Sequence, residues 1–281
     1  MRRVTILMSC VVAAFAIAAI GAAGASAAFK EEAPEVGRCL KLAGGRFKEG
    51  NCKTLATTSK TEKYEWYPGF GANGKGEEKT FSGSERRYTA VSKEATVIRL
   101  ETVKGEGVTC KKQTSEGELT GPKTNRNFNI VFTSCESAGL QCISTNPAAS
   151  NRGEILVKEL LGTIGIEKVG ASASKDKIAN LFKPTSGEVL TEFECSGLKL
   201  VVKGEVMVPI LTNKMATSEV VKFKASKGKQ KPEKFADEPA GTKHVLYAKN
   251  SKLEEFFQAG QTLTTTQTEV GSEKVEASTV N

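Results

Sequence analysis

Histidine, tryptophan and aspartate are almost missing from this chain of 281 residues, and each shortage closes off a class of chemistry. A single histidine, His244, leaves no set of imidazoles for a metal centre. It allows one Ser-His-Asp arrangement at most, and no G-x-S-x-G turn supplies the serine. Only Asp176 and Asp237 are aspartates among 32 acidic residues, so an Asp-rich calcium loop cannot be assembled. None of the 7 cysteines stands in a C-x-x-C pair, which argues against zinc. The formal charge of +8 is spread along the chain and makes no concentrated basic stripe, so nucleic acid is not an expected partner. No metal and no cofactor is expected.

What the chain does have begins at its first residue. Met1-Arg2-Arg3 carries two positive charges, an apolar run follows from Val4 to Ala23, and Gly24-Ala25-Ser26-Ala27-Ala28 is a small-residue stretch. This is the order of a cleavable secretory signal, assigned to residues 1–27. An uncleaved anchor is the alternative, because a run of about 20 apolar residues can cross a bilayer. Cys10 follows Leu7-Met8-Ser9 as in a lipobox, but it precedes most of the apolar run and is expected to leave with the signal. No later stretch is apolar enough to span a membrane, so a secreted or cell-surface location is expected.

Six cysteines remain after the signal: Cys39, Cys52, Cys110, Cys135, Cys142 and Cys195. An even count in an exported chain predicts three disulfides. Spacing favours Cys39 with Cys52 and Cys135 with Cys142 as short loops, leaving Cys110 with Cys195. Other connectivities stay open.

Short alternating apolar segments, broken by Gly, Pro, Asn and Ser, predict an all-β chain with an antiparallel sandwich or barrel. In Asn127–Ser134 the alternation sets Phe128, Ile130 and Phe132 on one face. Only Leu253–Ala259 and Lys175–Phe182 suggest helix. Residues 28–68 form a small cystine-clipped β unit, 69–90 a glycine-rich linker or loop, and 91–281 the antiparallel domain.

Few motifs carry chemistry. The G-x-G-x-x-G of Gly69–Gly74 has no helix after it and reads as linker. Ser172-Ala173-Ser174-Lys175 has the S-x-x-K spacing of penicillin-interacting enzymes without their later elements. Glu192 and Glu194 share a strand face about 7 Å apart, near the separation of glycosidase carboxylates. Tyr64, Trp66 and Tyr67 gather three of the five Tyr and Trp side chains and are the binding candidates, either stacking on a sugar or packing over the first disulfide. Lys222, Lys224, Lys227, Lys229, Lys231 and Lys234 suit edge protection or anionic polymers. His244 is expected on a solvent-facing strand. The repeated T-x-T steps of Thr262–Thr268 suit a strand.

Four stretches together, Pro34–Cys39, Tyr64-Glu65-Trp66, Phe132–Cys142 and Lys224–Pro232, resemble a group of secreted actinobacterial proteins of unknown function. The resemblance implies export and a shared fold, and no activity. The expectation is therefore a secreted or cell-surface non-catalytic binding or structural protein. Its partner would be a cell-wall polymer, a glycan or another envelope protein. The alternatives are an extracellular hydrolase that cuts a polymer with Glu192 and Glu194, and a barrel that holds an apolar ligand in a lined interior cavity, which no residue pattern identifies.

Overall fold

A computed structural model describes residues 34–56, 63–71, 78–149, 151–172 and 175–278. These residues form twenty β-strands, numbered in chain order, and every pairing among them is antiparallel. The all-β expectation holds, and the architecture is a barrel.

Eight strands close the barrel. They are β3 (Arg87–Ser92), β6 (Lys112–Leu119), β7 (Thr124–Thr133), β11 (Leu160–Lys168), β12 (Lys177–Pro184), β15 (Val206–Pro209), β16 (Ser218–Ser226) and β19 (Phe257–Glu269). Going round, β3 pairs with β6, then β7, β11, β12 and β15. The Ile210–Val221 bridge carries the ring on to β16, and β19 returns it to β3. Closure leaves no free edge for a second chain to pair with. The inward positions follow the two-residue period, as with Tyr88 and Ala90 inside and Thr89 outside.

Pairing closes a second ring on the same long strand. The first half of β19 pairs with β4 (Ile98–Thr102) and β18 (Leu246–Asn250), and β5 (Gly107–Cys110) pairs with β4. The circuit continues through β8 (Glu136–Ser137), β9 (Leu140–Ser144), β13 (Val189–Cys195) and β14 (Leu198–Gly204) back to β18. Thirteen residues give β19 a span of roughly 40 Å, enough to serve both rings. The short strand β10 (Ile155–Val157) pairs beside the second half of β7, and β17 (Lys229–Lys231) hairpins back on β16.

Disulfide connectivity departs from the spacing-based expectation at two of three bridges. Cys39–Cys52 forms as expected, while the others are Cys110–Cys135 and Cys142–Cys195. The Cys142 N–H donates to the Cys135 carbonyl, while the Cys135 N–H donates to the Gly153 carbonyl. On its other side Cys142 lies in register with Cys195, at a Cα separation of 4.1 Å. Both long-range bridges fasten the seam from β5 to β13, where β5 meets β8 through one residue pair.

The N-terminal unit is a cap on the barrel. Its sheet joins β1 (Glu35–Lys41), β2 (Tyr64–Pro68) and the chain's last strand, β20 (Glu276–Ser278). Val36 donates its N–H to the Pro122 carbonyl and packs with Tyr88, Leu119 and Ile164 across the barrel end. The expected linker is partly structured: the Phe81 N–H donates to the Gly69 carbonyl, and the Phe81 ring is buried against a position where any Cβ on Gly69 would collide with it. The first barrel strand starts at Arg87, inside that segment.

Both helix expectations give way to strands. Lys177–Pro184 is β12, whose apolar run reflects burial on two faces. Ile178 and Phe182 point into the barrel, while Ala179 and Leu181 meet Met207 and Phe235 outside it. Leu253–Phe256 is a turn leading into β19.

Candidate functional site

The barrel is hollow. Its cavity leaves about 120 Å³ open to the centre of a water-sized molecule. That is room for several waters, or for one small organic molecule. Residues from both rings line it, so the two interiors are continuous. Toward the second ring the walls are apolar, with Leu100, Leu190, Phe193, Val202 and Leu246, and Phe132, Phe182 and Phe223 adjoin them.

Toward the first ring the lining turns polar. Glu219 stands opposite Gln267, Gln267 opposite Ala90, and Ala90 opposite Ser115, so one belt crosses β16, β19, β3 and β6. Gln113, Thr265, Asn127 and Asn180 add further polar groups. The Oε1 of Gln113 and the Oδ1 atoms of Asn127 and Asn180 are buried without a protein hydrogen-bond partner. Such groups cost roughly 1–3 kcal/mol each when nothing answers them.

Two carboxyl groups dominate the electrostatics. Burial in the protein pushes Glu219 up to about 7. Glu269, two positions beyond Gln267 on the same face of β19, is pushed up to about 8 by burial and by the nearby charge of Glu219. Tyr88 lies in register with Glu269, and burial together with the two glutamates raises its hydroxyl well above the usual phenol range. That hydroxyl donates to Asn125 Oδ1 at 3.2 Å. Gly117 and Gly162 make the pair possible, since a Cβ at either would strike Tyr88 or Asn125.

The aromatic candidates lie elsewhere. Trp66 is buried with Phe47 and Cys52, and Cys39 and half-buried Tyr64 pack against that cluster. Tyr67 is buried on the opposite face of β2. Packing over the first disulfide describes Tyr64 and Trp66, and burial on the other face of β2 describes Tyr67. Between them sits Glu65, which receives hydrogen bonds from Arg46 Nε at 2.7 Å and from the Trp66 N–H. Burial opposes its ionisation, but the Arg46 contacts outweigh burial and hold its carboxyl below the usual range.

Glu192 is exposed and Glu194 half-buried on the face of β13 turned away from Phe193 and the cavity. Glu194 accepts a hydrogen bond from the Gly197 N–H. Lys224, Lys227, Lys229, Lys231 and Lys234 are exposed along the β16–β17 hairpin and the loop after it. The G-x-G-x-x-G and S-x-x-K segments fall partly outside the described residues.

His244 is not a solvent-facing strand residue. It sits in the loop before β18, with Nδ1 2.5 Å from Glu205 and Nε2 2.6 Å from Glu238. Burial opposes protonation of the ring, yet the two carboxylates outweigh it and raise its pKa. A raised histidine contributes stability that is full below its unfolded pKa of about 6.5 and is lost as pH rises through the folded value. We therefore expect His244→Gln to cost roughly 2 kcal/mol in urea titrations at pH 6 and clearly less at pH 9. An equal loss at both pH values would contradict the charged clamp.

Among the described residues no group of three or more His, Cys, Asp or Glu side chains is placed to hold a metal ion. The cavity was not among the sequence candidates, because its polar members come from six strands scattered through the chain. Fold and site define an antiparallel β-barrel with a mixed apolar and polar interior. No known protein family, curated protein or solved structure matches the chain.

Proposed function

We propose that this is an exported, non-catalytic binding protein that encloses a small, largely apolar ligand inside its barrel. The observation that carries this reading is the cavity, whose walls are mainly aliphatic and phenylalanine side chains with a few grouped polar ones. That composition is typical of small-molecule sites. Three disulfides suit an oxidising compartment, and the N-terminal signal pattern points the same way. No helix among the described residues is long and apolar enough to cross a membrane. The paired-glutamate alternative loses support because Glu192 and Glu194 lie on the face of β13 turned away from the cavity.

The test is a neutral fluorophore, N-phenyl-1-naphthylamine, titrated into the chain lacking its signal. A saturable rise in emission is expected. Ala90→Phe, which fills the belt between Gln267 and Ser115, should weaken it at least tenfold while circular dichroism stays unchanged. A non-saturable signal, or one indifferent to Ala90→Phe in a folded variant, would count decisively against an interior site.

A further inference from the structure

Resting on that reading, we propose that the ligand carries a protonated amine, seated against Glu219 in the polar belt, with its apolar body in the phenylalanine-lined chamber. Three independent observations lead there. First, among the described residues no lysine or arginine lines the cavity, and Glu219 is the one charged side chain that does. A second carboxyl, Glu269, stands behind it, only 6% exposed, with an Oε2 that has no partner. Neither glutamate forms an ion pair with a described residue, so the interior contains acid with no base to answer it.

Second, the amide groups around the belt are unsatisfied. Gln113 is 4% exposed and Asn180 8%, and both side chains present to the cavity with an unpartnered oxygen. An ammonium head has three donors and no acceptor, which matches a carboxylate flanked by amide oxygens. A carboxylate head would meet Glu219 as a like charge. Third, polarity is segregated. Glu219, Gln267 and Ser115 lie toward the capped end, Phe182, Phe193 and Phe223 toward the second ring, and Gln113 stands opposite Phe132 at the boundary, so a ligand polar at one end fits in one orientation.

Octylamine, 1-octanol and octanoate share one tail and differ in the head. Each is used at pH 7.5 to displace N-phenyl-1-naphthylamine from the signal-free chain. Octylamine is expected to displace the fluorophore at least tenfold more tightly than either of the others. Glu219→Gln should reduce octylamine to the octanol level, read as the ratio of the two probes' displacement constants on the same variant. Glu192→Gln, on the outer face, should change nothing. If octanol or octanoate competes as well as the amine while the fluorophore still binds, the amine assignment falls and the enclosed-ligand reading stands. If the fluorophore itself finds no site, both fall. The wild-type ranking of the three probes decides the matter even if Glu219→Gln fails to fold.

Discussion

Replacing Cys142 and Cys195 together by alanine is expected to lower stability by about 4 kcal/mol, the largest loss from any pair of substitutions considered. The bridge closes a loop with a sequence separation of 53, and loop-closure entropy alone gives a figure of that size. Local architecture should keep the loss from being offset. On this side the second ring depends on a two-residue strand, Glu136–Ser137, and on one pairing between Thr109 and Glu136. Few backbone hydrogen bonds resist opening there. Removing Cys39 and Cys52, with a separation of 13, should cost about 3 kcal/mol. That loss falls on the cap. Guanidinium denaturation of both variants under non-oxidising handling checks the ordering. A loss below about 1 kcal/mol for the Cys142/Cys195 variant would show that packing and the remaining Cys110–Cys135 bridge suffice to hold the seam.

The second large effect is an inverted pH dependence. Folding lifts Glu219 to about 7 and Glu269 to about 8, above the ordinary carboxyl value of 4.5. Between those values the folded chain binds more protons than the unfolded one, so stability must fall as pH rises from about 4.5 through 8. The slope reaches about 1.4 kcal/mol per pH unit for each group. His244, also raised, acts in the same direction above about pH 6.5. Glu65 acts oppositely: its lowered pKa gives stability that is present above 4.5 and lost as pH falls through the folded value. Mild acid, near pH 5, is thus the expected optimum. Glu219→Gln should raise stability at pH 8 by on the order of 2–3 kcal/mol and leave it nearly unchanged at pH 5. Thermal melts across pH 4.5 to 8.5 read this directly. A wild type that grows more stable from pH 5 to pH 8 would show that the interior carboxyls ionise freely.

Much of the fold was legible locally, because the two-residue period survives wherever one strand face meets solvent. Residues 112–119 carry such alternation, and so do residues 87–92, which straddle the end of the expected linker at residue 90. It failed where a strand is buried on both faces, as in Lys177–Pro184, since a continuous apolar run does not distinguish helix from strand.

Asn127 shows why the site stayed hidden. Alternation through Phe128, Ile130 and Phe132 places Asn127 outside. A bulge at Asn129, with φ of 50°, shifts the register between Thr114 and Glu116, so Phe128 turns out beside Arg126 while Asn127, Ile130 and Phe132 line the cavity. One extra residue reverses a face, and nothing nearby in the sequence announces it. The cystine partners were equally non-local, set by which strand lies on each side of Cys142.

The pairing of Glu35 with Ser278 joins the two ends of the described chain in one sheet. The cap is thus a clasp held from both ends: loosening β20 takes one of the two partners from β1 and leaves the pairings of the barrel itself untouched.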